Sequence, residues 1–234
     1  MKAELPSNEA ARLEALLDYG IVDTLPEDSY DDITLLASDI CDTLMAAVSL
    51  IDSTRQWFKS KVGLAISETT RDSAFCSHAI LQPDITVVSN AQVDERFADN
   101  PFVTGDPWIR FYAGAPLITP NGEALGTLCV IDQIQRTLTE QQINSLRALS
   151  RQVMAQLELR RHVGMQEKNQ RILKDYQDKL ERMNALLQKQ RREQGQIFAF
   201  DSFIDSKCKS TICQIQRFDP FSLTPSLLDK FSDL

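Results

Sequence analysis

Residues 110–132 read RFYAGAPLITPNGEALGTLCVID, which is two apolar runs separated by Pro-Asn-Gly. Asn121-Gly122 favours a two-residue hairpin turn, because a type I′ turn requires positive φ at both central residues. This turn would fix the cross-strand partners as Thr119 with Ala124, Ala115 with Leu128, Gly114 with Cys129 and Ala113 with Val130. The segment is therefore predicted to form a β-hairpin around which the rest of the chain folds.

Both predicted strands of the hairpin are apolar on both faces. A strand with one face in water alternates apolar and polar residues, whereas a strand covered on both faces is continuously apolar. The hairpin is therefore predicted to lie in the middle of a sheet. Pro116 cannot donate a backbone hydrogen bond, so we expect it beyond the end of the neighbouring strand.

The composition bounds the class of protein. The chain has 234 residues, 43% of them hydrophobic, which suffices for one good core and an additional elongated element. It contains no run of about 18 consecutive apolar residues and no apolar signal segment after Met1, so we expect a cytoplasmic protein with no membrane contact. The five cysteines are odd in number and lack metal-binding spacing, so neither a disulfide framework nor a metal site is expected.

The charge is unevenly distributed along the chain. The net charge is −8, and the acidic excess precedes residue 160. Residues 160–194 are mildly basic, but they interleave both signs and carry no aromatic platforms. Nucleic-acid binding is therefore not expected.

The segment before the hairpin predicts a mixed order of short elements. Apolar residues at helical spacing predict helices, and β-branched runs between turn residues predict strands. The predicted elements are helices over 9–20, 28–41 and 73–81, strands over 45–51, 56–62 and 85–89, and a long loop over 91–107. Long loops in compact domains usually serve a function or cover a ligand.

A long helical region follows the hairpin. A helix is predicted over residues 139–159, with Thr137 or Thr139 as its N-cap. Beyond it, a 3-4-3-4 apolar spacing predicts a parallel coiled-coil seam between two copies of the chain, formed by Leu173, Tyr176, Leu180, Met183 and Leu187. The seam is offset by one residue from the stripe of the preceding helix, so a phase break is expected near 160–164. Residues 195–234 show no regular period and are predicted to form a loosely ordered tail.

Catalytic motifs are mostly absent from the sequence. Cys76 and His78 are two residues apart, and residues at that spacing on a helix point away from each other, so Cys76 is predicted to lie in the core. The sequence contains no phosphate-binding G-x-x-x-x-G-K-[ST], no G-x-G-x-x-G and no G-x-S-x-G. No catalytic residue is assigned, and the chain is not expected to be an enzyme.

The order of elements and several motifs resemble a GAF domain over about residues 5–160, of the type found N-terminal in bacterial sensor histidine kinases and diguanylate cyclases. The resemblance rests on RQWFKS (55–60), Gly63-Leu64, Glu68-Thr69 with Arg71, FCSHAI (75–80), Asp94, Arg96-Phe97, Asn100-Pro101, Gly105, IRFYAGAPL (109–117) and LGTLCVID (125–132). The fold class is then α+β, with a PAS-like antiparallel sheet flanked by helices. The remaining segments are a coiled-coil linker helix (161–194) and the tail (195–234).

The resemblance also implies a sheet in the order second, first, fifth, fourth, third strand. The first, second and last helices would cover one face, and a ligand pocket would lie under the loops on the other. GAF domains bind cyclic nucleotides, tetrapyrroles or other small molecules, and many have no known ligand. Residues 98–110 hold no cysteine for a covalently linked tetrapyrrole, and Cys76 and Cys129 do not match the pattern of the GAF-type methionine sulfoxide reductases. His162 is not in a kinase phosphoacceptor box, and no G-G-[DE]-E-F occurs.

Two hypotheses about function remain. One is a sensor module of bacterial signal transduction that binds a small molecule and relays its state through a dimeric C-terminal helix to a signalling partner protein. The other is a dimerisation or scaffold module without a ligand, which could be a piece of a sensor kinase or diguanylate cyclase. Neither the ligand nor a cofactor is identified. An aromatic wall with a few polar anchors is typical of a small-molecule pocket, and the candidate lining residues are Trp57, Phe58, Phe75, His78, Phe97, Arg110 and Tyr112.

Overall fold

The computed structural model describes residues 2–216, without the side chains of 195–201 and 211–216. The chain divides into two compact units, Met1–Glu167 and Lys168–Leu234. Within the described residues, no helix is both long and apolar enough to cross a membrane.

Two helices precede the sheet, as the apolar spacing predicts. Helix α1 spans Glu9–Tyr19 and helix α2 spans Asp28–Cys41. Helix α1 ends at Gly20, which has a φ of 54° and donates its backbone N–H to the Leu17 carbonyl. A left-handed residue of this kind satisfies a carbonyl that the last helical turn leaves unpaired, and glycine adopts that conformation without steric cost.

Six antiparallel strands form a single sheet. They are β1 Met45–Ile51, β2 Arg55–Val62, β3 Glu68–Thr70, β4 Thr86–Val88, β5 Phe111–Ile118 and β6 Ala124–Asp132. The strand order is β3-β2-β1-β6-β5-β4. The predicted order of five strands is confirmed, and the short strand β3, which the sequence analysis does not predict, adds an edge beside β2. Two short helices complete this part of the fold, α3 Phe75–Ala79 and α4 Pro101–Thr104.

The central hairpin has the predicted register except at its turn. Gly114 pairs with Cys129, and Ala115 pairs with Leu128. At the turn, however, the Thr119 N–H donates to the Glu123 carbonyl, so Thr119 faces Glu123 and not Ala124.

Proline explains this shift in register. The loop has three residues, because the proline ring locks φ of Pro120 at a negative value that suits the second position of a type I turn. The left-handed position then falls on Gly122, whose φ is 97°, and Asn121-Gly122 does not form the predicted type I′ turn. Pro116 pairs with β6 beyond Gly114, the last β5 residue that pairs with β4, as expected.

Two apolar clusters cover the two faces of the sheet. One cluster joins α1, α2 and the start of the last helix to the sheet through residues such as Leu16, Tyr30, Leu128 and Leu146. The other lies under α3 and the loops between β3 and β5. Every residue of β1 is buried, which agrees with a strand in the middle of a sheet that is covered on both faces.

The last helix, α5, spans Glu140–Gln216. At its start, the Thr139 hydroxyl accepts a hydrogen bond from the Gln142 N–H, and the Gln142 side chain accepts one from the Thr139 N–H. This reciprocal pair is a capping box. The helix continues through Gly164, where a phase break was expected, and through 195–216, which the sequence analysis assigned to the tail. Residues 217–234 of the predicted tail lie outside the described residues.

Candidate functional site

A small cavity lies on the sheet face opposite α1, α2 and α5. Its volume is about 40 Å³. The lining is almost entirely apolar and comes from β2, α3, β5, β6 and the loops around them. The lining residues are Gln56, Phe58, Leu64, Ile66, Thr69, Ser73, Ala74, Phe75, Cys76, Phe102, Pro107, Ile109, Tyr112 and Ile131. Among the described residues, no three His, Cys, Asp or Glu side chains gather as a metal site.

The alternation of side chains along β2 decides which of its residues reach the cavity. Gln56 and Phe58 line it, whereas Trp57 packs against the cluster on the helix side of the sheet. Successive side chains of a strand point to opposite faces, so Trp57 and Phe58 could not both line one pocket. The prediction that Trp57 belongs to the lining is therefore corrected, and Gln56 takes its place.

An aromatic stack fills the space beside the cavity. The rings of Phe75 and Phe97 stack with centroids 4.1 Å apart, and Tyr112 tilts against Phe75 at 5.3 Å. The His78 ring meets the edge of Phe97 at 4.8 Å. Of the predicted residues, Phe58, Phe75 and Tyr112 thus line the cavity directly. Phe97 and His78 form a second layer behind Phe75.

Arg110 holds the covering loop and is absent from the cavity lining. Its Nη1 donates to the backbone carbonyls of Val103 at 2.8 Å and Ile109 at 3.0 Å. Asn100 acts in the same way, since its amide donates to the Ser73 carbonyl and accepts from the Phe102 N–H. The loop over the cavity is thus tied to the start of β5 and to the segment before α3 by partly buried polar contacts. This gives Arg110 a structural role that its sequence position did not reveal.

Two cysteines meet beside the cavity, and one of them, Cys76, belongs to its lining. Cys76 Sγ lies 3.8 Å from Cys129 Sγ. The Tyr112 hydroxyl and the Gln56 side-chain amide each donate to Cys76 Sγ at 3.3 Å. The Ala47 carbonyl lies 3.5 Å from Cys129 Sγ and is a second acceptor for its proton. Sequence reasoning placed Cys76 in the core, and its burial confirms that prediction. It did not foresee the contact with Cys129, because the two residues are 53 positions apart.

The surroundings of the two thiols lower the pKa of Cys76 and raise the pKa of Cys129. Burial opposes ionisation of Cys76, but hydrogen bonds from Cys129, Ser49, Thr127 and Tyr112 outweigh it and lower the pKa of the Cys76 thiol to about 6. The hydrogen bond to Cys76, burial and the nearby Cys76 charge raise the pKa of Cys129 well above its usual value. Burial and both cysteines also raise the pKa of Tyr112 well above its usual value, so its hydroxyl remains a donor.

A polar network crosses from β2 to α5 on the helix side of the sheet. The Lys59 side chain is fully buried, and its Nζ donates to Glu27 Oε1 at 2.8 Å, to the Leu25 carbonyl and to the Thr24 hydroxyl. Arg160 of α5 donates to the same Glu27 oxygen at 3.1 Å. Glu27 therefore joins a cation of the sheet to a cation of the long helix.

A second group of polar contacts joins α1 to α5. The Tyr19 hydroxyl donates to Glu158, and Arg161 pairs with both Glu158 and Asp18. The Arg161 guanidinium also lies over the Tyr19 ring, 4.8 Å from its centroid. The segment of α5 around residues 158–161 is thus fixed to two other elements of its unit.

Comparison with known proteins assigns the fold to a family. The family model described as "GAF domain" matches residues 25–157, more than half of the chain. The cyclic di-GMP phosphodiesterase PA2567 of Pseudomonas aeruginosa is 40% identical over 153 residues, which are 65% of this chain and 26% of that protein. The chain therefore spans about a quarter of the length of this curated relative.

Solved structures are also similar to this chain, at lower sequence identity. The GAF domain of an Acinetobacter phosphoenolpyruvate-protein phosphotransferase is 18% identical, with 66% of this chain and 95% of that chain covered and a TM-score of 0.49. A free methionine-R-sulfoxide reductase from Neisseria meningitidis is 15% identical, with 70% of this chain and 98% of that chain covered and a TM-score of 0.49. On the match of the family model, this chain belongs to the GAF domain family.

Proposed function

We propose that this chain is a regulatory GAF module of bacterial signal transduction, in which α5 carries the state of the domain to an output. The observation that carries the proposal is the link from β2 to α5. Phe58 faces the cavity and the next residue, Lys59, faces Glu27, which also binds Arg160 of α5. A shift of β2 on the cavity side would therefore change the contacts that fix α5.

The relative from Pseudomonas aeruginosa supports an output in cyclic di-GMP turnover. Its name states a cyclic di-GMP phosphodiesterase activity, and it is 40% identical to this chain over 153 residues. We assign no phosphodiesterase chemistry to the residues of the present cavity, because their side chains are mostly apolar. The proposed role of this chain is to regulate such an activity in another domain or in a partner protein.

The ligand proposed for the module is small. Pockets for drug-sized ligands have volumes of about 300–1,000 Å³, whereas this cavity has about 40 Å³. A ligand of a few heavy atoms fits without rearrangement, and a larger one requires the lining side chains to move. The small volume equally favours the second candidate function, which is a dimerisation module that binds no ligand.

Pairing of α5 with a second copy completes the proposed relay. Leu173, Tyr176, Leu180, Met183 and Leu187 are between 51% and 65% exposed. A parallel coiled coil would bury this seam, and the flanking ion pair between Lys179 and Asp175 would remain at its edge.

Native mass spectrometry of the purified full chain tests the proposal. The sensor hypothesis predicts a dimer that carries a small molecule or gains one from a metabolite extract, with a rise in melting temperature on binding. A dimer that stays empty and is not stabilised by any fraction would support the scaffold hypothesis. A monomer would contradict both.

A further inference from the structure

The buried pair of cysteines has the geometry of an oxidation site, and the proposed relay does not use it. Cys76 belongs to α3 and Cys129 to β6, and their sulfur atoms are in van der Waals contact at 3.8 Å. A disulfide bond has a sulfur–sulfur distance of about 2.05 Å. The two sulfurs therefore need to approach by less than about 2 Å to form that bond.

The hydrogen-bond donors around the pair favour a thiolate at Cys76 over a thiolate at Cys129. Tyr112 and Gln56 both direct hydrogen bonds at Cys76 Sγ, and such donors stabilise a thiolate. Cys129 instead keeps its proton, for which the Ala47 carbonyl at 3.5 Å and the Cys76 sulfur at 3.8 Å are the neighbouring acceptors. Since the thiolate is the nucleophilic form of cysteine, Cys76 is suited to attack and Cys129 to follow as a thiol.

The cavity provides a route to Cys76 for a small molecule only. Its lining includes the exposed Ile66, the half-buried Leu64 and the buried Cys76. A volume of about 40 Å³ is sufficient for a molecule of a few heavy atoms. The apolar lining disfavours charged oxidants, and a disulfide the size of oxidised glutathione does not fit.

We propose that Cys76 is an oxidation site for a small neutral hydroperoxide, with Cys129 as the resolving thiol.

The reaction has two steps. In the first, the Cys76 thiolate attacks one peroxide oxygen, the O–O bond breaks, and the other oxygen leaves as water or alcohol after taking a proton. Cys76 is then a sulfenic acid. The Cys129 sulfur attacks the Cys76 sulfur, and the sulfenic hydroxyl leaves with the Cys129 proton as water. In total, the two thiols lose two electrons and form a disulfide, and the peroxide gains these electrons and becomes two molecules of water, or one of water and one of alcohol. A small dithiol returns Cys76 and Cys129 to thiols by thiol–disulfide exchange and is itself oxidised to a disulfide.

Peptide mapping of the full chain tests this proposal without any substitution. The reduced protein is treated with hydrogen peroxide, denatured, alkylated and digested without reductant. A cross-linked peptide pair that contains Cys76 and Cys129 is expected, while Cys41 stays alkylated as a control, because burial raises its pKa to about 11. Alkylated Cys76 and Cys129 in a sample whose exposed Cys208 is oxidised would overturn the proposal. Equal oxidation of the pair by oxidised glutathione would also overturn it.

Variants separate the roles of the individual groups. In Cys129→Ala, Cys76 is expected to stop at the sulfenic acid, which a 1,3-diketone probe captures. Tyr112→Phe is expected to slow disulfide formation several-fold because one donor to Cys76 is lost. In the control variant Cys41→Ser, the disulfide between Cys76 and Cys129 should form at the wild-type rate. Capture of no sulfenic acid in a folded Cys129→Ala protein, verified by circular dichroism, would show that Cys76 is not the attacking sulfur.

Discussion

Tyr112 and Gly114 show how a single residue shapes the site. A Cβ atom built on Gly114 would lie 2.1 Å from the Tyr112 hydroxyl oxygen. The two residues share one face of β5, and the absent side chain leaves room for the Tyr112 ring to lie along the strand. From there its hydroxyl reaches Cys76 Sγ. Gly114 is thus needed for space, since its backbone does not have a positive φ.

Substitution of Gly114 should therefore displace Tyr112. Gly114→Ala is expected to lower the free energy of unfolding by about 1–3 kcal/mol, the usual cost of overpacking a core. Urea denaturation measures the change. Gly164→Ala is the matched control, because a Cβ at that position of α5 meets nothing within 4 Å, and alanine is favoured over glycine in a helix by about 1 kcal/mol. Equal stability of wild type and Gly114→Ala would contradict the predicted clash.

Glu9 gives the domain a pH-dependent contribution to stability. Burial raises the pKa of its carboxyl, but hydrogen bonds from Arg12 and Arg71 outweigh burial and lower the pKa to about 2. A carboxyl whose folded pKa is depressed stabilises the fold above its unfolded pKa, and this contribution is lost as pH falls toward the folded pKa. The contact joins α1 to the segment before α3, 62 residues away.

The pH dependence of Glu9→Gln should reveal this contribution. At pH 6 the variant is expected to be less stable than wild type by on the order of 1–3 kcal/mol. The difference should shrink as pH falls from about 4.5 to about 2, because the wild-type carboxyl becomes protonated. Urea denaturation at a series of pH values provides the measurement. A difference that stays constant down to pH 2 would show that the carboxyl charge has no part in it.

At the scale of elements, the important contact is the one between β2, the start of α2 and α5. Lys59 carries a fully buried charge, and a buried cation is destabilising unless it is paired and hydrogen-bonded. Glu27, which immediately precedes α2, supplies that pairing and also binds Arg160. The position of α5 is thereby linked to the strand that lines the cavity.

Removal of the Glu27 charge should loosen α5 at this contact. Glu27→Gln is expected to cost about 1–3 kcal/mol, because Lys59 remains buried with a weaker partner. Hydrogen exchange of the α5 segment at residues 157–164 should accelerate. Asp28→Asn is the control, since it removes the same charge from an exposed neighbouring side chain that has no contact with Lys59. The same exchange pattern in both variants would mean that the network does not hold α5.

At the scale of the whole molecule, α5 joins two kinds of environment. Leu146, Val153 and Leu157 are buried within the first unit. In the second unit, the seam residues are exposed along a regular 3-4-3-4 spacing. Exposed apolar stripes of this kind usually mark an interaction surface.

A charge in the seam should therefore weaken the proposed dimer. Leu180→Glu is expected to raise the dissociation constant of the full chain at least tenfold, because it places carboxylates from both copies in the buried seam. Leu186→Glu is the matched control, since Leu186 is equally exposed but lies beside the seam. Sedimentation equilibrium measures both. If Leu180→Glu and wild type dimerise equally, the seam is not the interface.

The local features of this protein could be read from its sequence. The bounds of α2 and β1, the capping of α5 and the central hairpin follow from the spacing of apolar residues and the identity of turn residues, which depend on neighbours within a few positions. The order of the five main strands was implied by the resemblance to GAF domains. The turn of the hairpin was mispredicted, because Pro120 constrains the loop more strongly than Asn121-Gly122 does.

The sites required the tertiary structure. The sequence indicated an aromatic wall, but only the packing of α3 against the sheet brings Cys76 to Cys129 and places the Phe75 ring on Phe97. The link from Lys59 to Arg160 through Glu27 likewise joins residues that are far apart in the chain. Such contacts depend on how whole elements approach one another, and that approach is set by the packing of both faces of the sheet together. Local patterns in the sequence predicted which elements form, and the resemblance to GAF domains predicted the order in which the main strands pair, whereas the packing of the two sheet faces decides which side chains meet.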